Sequence, residues 1–369
     1  MKKRILVIAA SLRIGGAEKV ARDIAIHASP GEYEFHYLVF GDEIGGYEAQ
    51  LIAYGHKVFH LPEPSHSYWQ FFRALCSLMQ SNHYQIVHAH NMFNCGFTML
   101  AAWLSGCPIR VSHAHSALED GHGFVKNIYE KLMRFLILRC STDLVACGVK
   151  AGERLFGKKT FHKRGQLILN GIDVAAFAYD QDRRNTIRQQ LGLGNRFILG
   201  HAGHLAEVKN QAFLLDLMPL VLKKQSDTML LLLGEGDDRP MLEQKIRELH
   251  LEEHVVMTGN VTNVSDYLSA MDVFVFPSLF EGMPLSILEV QANGLPCVIS
   301  NSVPEDVFLT DLIHPLSLDA PKQQWVDAIL SARRGDADHY NRQLRDSEYA
   351  VEKAMEKIYR IYHKDHPND

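Results

Sequence analysis

The sequence lacks several features that would assign it to a common class of protein. No apolar run approaches the roughly 18 residues that a membrane-spanning helix needs. The net charge is −5 over 369 residues, so no strong field attracts nucleic acid, and we expect no nucleic-acid partner. None of the six cysteines forms a C-x-x-C pair, which favours buried, reduced thiols in a cytoplasmic protein.

The amino-terminal segment MKKRILVIAASLRIGGAEK has the charge pattern of a secretory signal, but its apolar run, residues 5–10, is too short for one. We interpret residues 5–10 as a first strand. No G-x-G-x-x-G motif or P-loop follows it, which disfavours hydride transfer and ATP hydrolysis. The expected location is the cytoplasm, with peripheral contact at the inner face of the cell membrane still open.

Short apolar runs alternate with helical patterns twice along the chain, over residues 5–169 and 197–300. This alternation predicts an α/β fold of two doubly wound parallel-sheet domains. The first domain is expected over residues 1–169 and the second over 170–345, joined by a polar linker at 170–196. A last helix over 348–362 has one apolar face, so residues 346–369 must pack on a domain.

Open parallel sheets bind ligands in loops beyond the carboxyl ends of their strands. Two such domains create a cleft, so the candidate residues are those that follow strands. The first candidates are Gly15 and Gly16, which precede a helix whose amides could face an anion. A plain tight turn is an equal alternative for this stretch.

Two HAH triplets, His88–His90 and His113–His115, each stand at a strand end. Residues i and i+2 share one face of a strand, so a four-histidine metal site is conceivable. No carboxylate or third-ligand spacing completes it, and we expect no metal. The favoured interpretation is one histidine that donates a hydrogen bond to a ligand, beside structural histidines whose hydrogen bonds are satisfied.

The stretch FILGHAGHLAEVKN delivers Gly203, His204 and Lys209 to the loop after another strand. A lysine beside a glycine-bearing loop at a helix start can hold phosphate as a point charge. The alternative is a lysine that is merely solvated.

The stretch PSLFEGMPLSILEVQANGLP follows a strand as well. Pro284 suits a first helical turn and Gly294 a helix end, so Glu281 lies in the loop and Glu289 inside the helix. The backbone amides around Gly282, Met283 and Leu285 could receive a diphosphate, while the two carboxylates accept hydrogen bonds from sugar hydroxyls.

Several segments together resemble the retaining, nucleotide-sugar-dependent enzymes of glycosyltransferase family 4, which have the GT-B fold. FEGMPLSILE looks like the E-x7-E motif of that family, and NGID at 170–173 is similar to its interdomain signature. The segments ACGVKAGERLFGKKTF and SHAHS look like the branch that builds capsular polysaccharides and exopolysaccharides. The resemblance covers nearly the whole chain and does not specify the sugar.

The resemblance implies a first domain that binds the acceptor, a second that binds the donor, and a last helix that crosses back to the first. It implies a nucleoside-diphosphate sugar donor, a UDP-sugar being the expectation, and a glycan or lipid-linked glycan acceptor. The implied contacts are Gly15 and Gly16 near donor phosphate and acceptor, His115 (or His113) on the donor sugar, Lys209 on the diphosphate, Glu281 on the sugar hydroxyls, the backbone of Gly282, Met283 and Leu285 near sugar and phosphate, and Glu289 on the ribose.

One position departs from the family. His204 stands where the family usually has an arginine, and histidine is charged only part of the time near neutral pH. Binding of the diphosphate is therefore expected to be weaker, to depend on pH, or to be supplied by another residue. The Asp-x-Asp pairs at 180–182 and 336–338 lie away from strand ends, and we interpret them as solvated rather than as metal ligands.

The family resemblance implies transfer with retention of anomeric configuration and no required cofactor. Two alternatives stay open: a nucleotide-sugar 2-epimerase of the same fold, and a catalytically silent nucleotide-sugar-binding subunit. A basic cluster at residues 158–164 and the apolar, basic stretch NIYEKLMRFLILRC raise the possibility of contact with anionic lipid. A core helix beside a solvated loop is the competing interpretation.

Overall fold

The computed structural model describes residues 2–13, 16–29, 31–42, 44–63, 67–116 and 123–364. The chain divides into two compact units, one of Met1–Gly171 with Val351–Asp369 and one of Ile172–Ala350. Each is built on a single parallel sheet with helices along its connections. The predicted fold class of two doubly wound α/β domains is therefore confirmed.

In the first unit, the described residues form a seven-stranded sheet in the order β3-β2-β1-β4-β5-β6-β7. Its strands are β1 (Lys3–Ile8), β2 (Tyr33–Phe40), β3 (Lys57–Leu61), β4 (Ile86–Ala89), β5 (Ile109–Ala114), β6 (Asp143–Ala146) and β7 (Gly165–Leu167). Its helices are α1 (Gly16–Ile26), α2 (Glu48–Ala53), α3 (Tyr68–Asn82), α4 (Cys95–Leu104), α5 (Phe124–Cys140), α6 (Val149–Phe156), α7 (Lys158–Arg164) and, from the end of the chain, α15 (Val351–Tyr362).

Helix α15 belongs to the core of the first unit, although 179 residues of the second unit precede it. Its apolar face is buried in one cluster with residues of β1, β2 and α1. Ile358 is fully buried there, and the Tyr359 hydroxyl donates a 2.7 Å hydrogen bond to the carbonyl oxygen of Ile24. The amphipathic pattern predicted this need for a partner, and the crossing back to the first unit is confirmed.

In the second unit, the described residues form a six-stranded sheet in the order β10-β9-β8-β11-β12-β13. Its strands are β8 (Phe197–Ala202), β9 (Thr228–Leu233), β10 (Val255–Met257), β11 (Val273–Phe276), β12 (Cys297–Ser300) and β13 (Ile313–Leu316). Its helices are α8 (Gln181–Gln190), α9 (Gln211–Lys224), α10 (Arg239–Glu248), α11 (Val264–Ala270), α12 (Leu285–Ala292), α13 (Lys322–Ser331) and α14 (Ala337–Arg345).

The predicted linker at 170–196 is wrong over much of its length, because α8 occupies it. The Asp180 carboxylate accepts hydrogen bonds from the first amides of α8 and so caps the helix. Arg184 and Arg188 then pair with the two oxygens of Asp272 at 2.6 and 2.7 Å. These ion pairs hold α8 against the second unit. The helix therefore lacks the apolar stripe by which a packed helix is usually predicted from sequence.

The interpretation of the Asp-x-Asp pairs as solvated agrees with the structure, in which Asp182, Asp336 and Asp338 are exposed and Asp180 is half-buried. Asp336 caps α14 by accepting a hydrogen bond from the amide of His339, as Asp180 caps α8. An aspartate before a helix satisfies amides that have no partner within the helix. The first aspartate of each pair is thus the N-cap residue of a helix, and the second lies in the first turn of that helix.

Each sheet has one place where the strand order reverses direction, between β1 and β4 in the first unit and between β8 and β11 in the second. Loops beyond the carboxyl ends of these strands diverge to opposite sides of the sheet and leave a crevice. The candidate residues of the sequence lie in or near these loops, which determines where a site can form.

Candidate functional site

The second unit holds an ion pair at its strand-order reversal. Lys209 lies in the loop after β8, and Glu281 lies in the loop after the neighbouring β11. The Lys209 Nζ and Glu281 Oε1 atoms are 2.7 Å apart, and only 20% and 10% of the two side chains are exposed. The same ammonium lies 4.9 Å from the centre of the Phe276 ring. The loops thus place one cation and one carboxylate side by side at the crevice.

Hydrogen bonds to backbone carbonyl oxygens hold the two loops together. The Leu279 amide donates to the Val208 carbonyl oxygen at 2.8 Å, and the Asn210 side-chain amide donates to the Pro277 carbonyl oxygen at 3.2 Å. Asn210 has a left-handed backbone with φ of +54°, a conformation that asparagine tolerates better than most residues. The position of the ion pair is therefore set by the loop backbones as well as by its own attraction.

A third loop, after β9, packs against the loop after β8, and the sequence analysis did not identify its role. A Cβ atom added to Gly234, whose φ is +130°, would lie 2.0 Å from the Gly203 carbonyl oxygen. A Cβ added to Gly236 would lie 2.1 Å from the Leu205 carbonyl oxygen. The G-x-G spacing directly after a strand was the signal available, since glycine permits such close approach of two backbones.

The helix that follows Glu281 begins where the sequence predicts. Pro284 stands just before it as the N-cap residue, and Leu285 is its first residue, where amides have no partner within the helix. Gly282 is exposed and Met283 half-buried. Gly294 ends the helix region with φ of +65°, as predicted for a left-handed cap. The first amides of this helix are hydrogen-bond donors that follow Glu281, the partner of Lys209, closely in the chain.

Two further candidate residues lie in the second unit near this loop system. Glu289 is half-buried on α12, eight residues after Glu281. His204 is exposed in the loop after β8, and its carbonyl oxygen accepts a 2.9 Å hydrogen bond from the Gln211 side chain. The imidazole of His204 thus faces solvent, while the backbone around it is anchored to α9.

Ser278 is a residue of the same loop that the sequence analysis did not single out. The side chain is fully buried, and its hydroxyl oxygen has no hydrogen-bond partner among the described residues. Its carbonyl oxygen accepts hydrogen bonds from the hydroxyls of Ser300 and Ser302 at 2.6 and 2.5 Å. The sequence offers no signal for this arrangement, because Ser278 follows β11 whereas Ser300 ends β12 and Ser302 lies just beyond it.

In the first unit, Gly16 is the exposed first residue of α1, whereas Gly15 lies outside the described residues. The two HAH triplets meet on the neighbouring strands β4 and β5. We call His88, His90, His113 and His115 the histidine quartet. Ring centroids within it are as close as 4.1 Å.

Two hydrogen bonds join the quartet in pairs. His88 Nε2 is 3.2 Å from His113 Nδ1, and His90 Nδ1 is 2.7 Å from His115 Nε2. Three other ring nitrogens have no partner within the described parts of the chain: Nε2 of His90, Nε2 of His113 and Nδ1 of His115. The expectation of histidines with all hydrogen bonds satisfied is therefore wrong for His90 and His113.

Burial controls the charge of the quartet. Desolvation lowers the pKa of His88 and that of His115 to about 3, and it holds the pKa values of His90 and His113 well below the ordinary value. All four rings are therefore neutral near pH 7. A neutral His115, half-buried at the end of β5, can donate or accept a hydrogen bond but does not supply a positive charge.

Models of known families match two stretches of the chain. The model described as Glycosyltransferase Family 4 matches residues 14–176, and the one described as Glycosyl transferases group 1 matches residues 196–331. EpsF of Bacillus subtilis strain 168, named as a glycosyltransferase, is 33% identical over 337 residues, which is 90% of this chain and 88% of EpsF.

Two other relatives carry more specific names. The capsular polysaccharide biosynthesis glycosyltransferase CapH of Staphylococcus aureus is 24% identical over 335 residues, 88% of this chain and 89% of CapH. The Escherichia coli UDP-Gal:alpha-D-GlcNAc-diphosphoundecaprenol alpha-1,3-galactosyltransferase is 28% identical over 236 residues, 62% of this chain and 60% of that enzyme.

Among solved structures, Anabaena HepE in complex with UDP aligns with a TM-score of 0.78 and 19% identity, covering 98% of this chain and 99% of HepE. At that identity the likeness establishes the shared GT-B fold. With the family models and EpsF, the comparisons confirm the predicted resemblance, and the chain belongs to glycosyltransferase family 4, beside relatives that build capsular polysaccharide.

Proposed function

We propose that the protein transfers a hexose-type sugar from a UDP-sugar to a glycan or lipid-linked glycan acceptor, with retention of anomeric configuration, in the synthesis of a cell-surface polysaccharide. The observation that carries this proposal is the Lys209–Glu281 pair at the strand-order reversal of the second unit. The UDP bound by HepE and the lipid diphosphate acceptor of the E. coli relative support the donor and acceptor classes.

Breaking the anomeric bond leaves negative charge on the departing nucleoside diphosphate. In this proposal Lys209 neutralises that charge, and the backbone amides from Gly282 to Leu285 donate hydrogen bonds to the sugar and phosphate oxygens. The hydrogen bonds between the two loops support the segments on either side of Lys209 and Glu281 before a substrate binds. His204 adds charge only when it is protonated.

The two glutamates and the first unit position the sugar nucleotide. We assign Glu281 to the donor sugar hydroxyls and Glu289 to the ribose hydroxyls, since ionised carboxylates only accept hydrogen bonds. His115 donates a hydrogen bond to the donor sugar through its unpaired Nδ1. We assign Gly15 and Gly16 to the donor phosphate and the acceptor. The incoming hydroxyl attacks the face that the diphosphate leaves and passes its proton to the departing phosphate oxygen, without a covalent enzyme intermediate.

The transfer is tested by release of nucleoside diphosphate over a panel of donors with a lipid-linked acceptor. We expect release that requires both substrates in the wild type and falls at least tenfold in Glu281→Gln. Lys224→Met, which removes an exposed lysine of the same unit, is the control and should keep full turnover. Equal turnover by wild type and Glu281→Gln would contradict the assignment of Glu281 to the donor sugar.

The same experiment separates the competing functions. Conversion of the sugar nucleotide without any acceptor would identify a 2-epimerase instead. Tight binding of a sugar nucleotide with no turnover on any donor and acceptor would identify a silent binding subunit. His204, in place of the arginine usual in the family, is the residue that motivates this alternative.

We further propose that α5 of the first unit contacts anionic lipid during the reaction. Phe124, Ile128, Leu132 and Phe135 recur along one side of α5 and are 81%, 53%, 52% and 63% exposed. Lys131 and Arg139 are exposed on the same helix, and α7 contributes exposed lysines and an arginine. Apolar side chains among basic ones suit an interface with acidic headgroups.

Among the described residues, no helix is both long enough and apolar enough to cross a membrane. Co-sedimentation with vesicles rich in anionic lipid at low salt tests the surface contact. We expect binding by the wild type and its loss in an Ile128→Glu/Phe135→Glu variant. Met241→Glu, at a similarly exposed apolar residue of the second unit, should still bind. A wild type that stays in the supernatant contradicts the proposal.

A further inference from the structure

Three ring nitrogens of the histidine quartet have no hydrogen-bond partner among the described residues of the chain. The sequence offered two pairs of histidines and no third-ligand spacing. The sheet supplies the missing proximity, because β4 and β5 are paired in parallel with His88 opposite Val111, so His113 follows two residues further along β5. His88, His90 and His113 thereby become neighbours on two adjacent strands.

We propose that His88, His90 and His113 form a binding site for one divalent transition-metal ion, with zinc as the expected occupant. One ring nitrogen from each of the three lies within 4.8 Å of the others. A tetrahedral zinc ion with bonds of about 2.0–2.1 Å separates its ligand nitrogens by roughly 3.3 Å. The ion would take Nε2 of His88 in place of its present 3.2 Å hydrogen bond with Nδ1 of His113, and rotations of the stacked rings would bring the three ligand nitrogens closer together.

Unpartnered nitrogens are the independent evidence for a ligand. The Nε2 atoms of His90 and His113 have no hydrogen-bond partner in the part of the chain that is described, although these side chains are only 5% and 0% exposed. A buried polar atom without a partner costs free energy, so such atoms are rare unless something binds them. An imidazole nitrogen that carries no proton has a lone pair that a metal can accept.

The outer hydrogen bonds of the cluster match those of metal-ligating histidines, whose second ring nitrogen is usually held by a neighbouring group. Nδ1 of His88 lies 2.7 Å from the Tyr362 hydroxyl oxygen, and Nδ1 of His90 lies 2.7 Å from Nε2 of His115. His115 is outside the proposed ligand set. The ion would fix β4, β5 and α15 to one another and orient His115 through His90.

The donor chemistry selects the metal. Three neutral imidazoles with neither carboxylate nor thiolate favour zinc, copper or nickel over magnesium and calcium, which prefer oxygen ligands. This inference does not depend on the proposed transferase reaction, because the site lies within the first unit and its occupancy can be measured without any sugar substrate.

The experiment is a titration of chelator-treated full-length protein with Co²⁺, followed by Zn²⁺. We expect one Co²⁺ per chain with the visible absorption of tetrahedral coordination, and its displacement by Zn²⁺. Replacing a ligand in His113→Phe should abolish the signal. Tyr362→Phe, which removes only the outer hydrogen bond to His88, should weaken binding by about 10- to 100-fold.

His162→Gln is the matched control, since His162 is exposed and bonded to Glu153, outside the cluster. It should bind Co²⁺ like the wild type. Absence of stoichiometric binding by the wild type overturns the proposal without reference to any variant. Undiminished binding by a folded Tyr362→Phe protein, or loss of binding in His162→Gln, would also overturn it.

Discussion

The Lys209–Glu281 pair predicts opposite effects of two substitutions on UDP affinity. If Lys209 holds the diphosphate, Lys209→Met removes the attraction and weakens UDP binding. If the Glu281 carboxylate competes with phosphate for the same ammonium 2.7 Å away, Glu281→Gln frees the lysine and strengthens UDP binding. The two variants remove opposite charges from one contact, so a merely structural pair would not separate them in this way.

The magnitudes follow from the burial of the pair. A hydrogen bond to a charged group contributes about 1.5–3 kcal/mol, so Lys209→Met should raise the Kd for UDP by about 10- to 150-fold. The side chains of Lys209 and Glu281 are 20% and 10% exposed, so solvent partly screens their attraction. We therefore expect the Glu281 carboxylate to reduce the free energy of UDP binding by about 1 kcal/mol. Glu281→Gln should then lower the Kd about fivefold, while turnover falls.

Isothermal titration of UDP into the wild type, the two variants and the Lys224→Met control measures these constants directly. Thermal unfolding of each protein without ligand shows whether the folded state is intact. A similar loss of UDP affinity in Glu281→Gln and Lys209→Met would refute the reasoning. It would indicate that the pair only supports the loops, and that the diphosphate is bound elsewhere.

Three predictions concern stability, measured by urea denaturation. Gly234→Ala should destabilise by at least about 2 kcal/mol, because the added Cβ meets backbone 2.0 Å away, whereas Gly192→Ala, with positive φ but open space, should cost about 1–2 kcal/mol. Equal losses would contradict the role of close approach. Ile358→Ala, in the buried face of α15, should cost about 2–5 kcal/mol; a loss below 1 kcal/mol would mean that α15 packs loosely. Burial lowers the pKa of His201 to about 4, so the unfolded state binds its proton first as pH falls below about 6.5, and about 3 kcal/mol should be lost by pH 4. His201→Gln should lose less over the same range; an unchanged pH dependence would contradict this.

Much of the fold was predictable because it depends on local patterns. Alternating apolar runs and helical periodicities indicated two parallel sheets, and the apolar face of the last helix required a partner. The helix α8 was not predictable from periodicity, since its place is held by Arg184 and Arg188 on Asp272, a residue more than 80 positions away. Strand β13, with its proline and histidine, has no apolar run to mark it.

Part of the candidate site was also predictable from the sequence, and part was not. Lys209 and Glu281 could each be placed in a loop after a strand, because strand ends and helix starts have local signals. Their 2.7 Å contact could not be foreseen, since it depends on β8 and β11 being neighbours although β9 and β10 intervene in the chain. A cluster of the four histidines was conceivable from the sequence, but the contacts within it were not predictable, because they depend on the register between β4 and β5.

The placement of α15 has a consequence for how the protein is made. The first unit needs residues from both ends of the chain, so its core stays incomplete on the ribosome until Val351–Tyr362 emerges. At about 5–20 residues per second, the 179 intervening residues delay completion by roughly 10–40 s. During that interval the second unit can finish folding first, while the apolar surface that α15 later covers stays exposed on the earlier-made sheet.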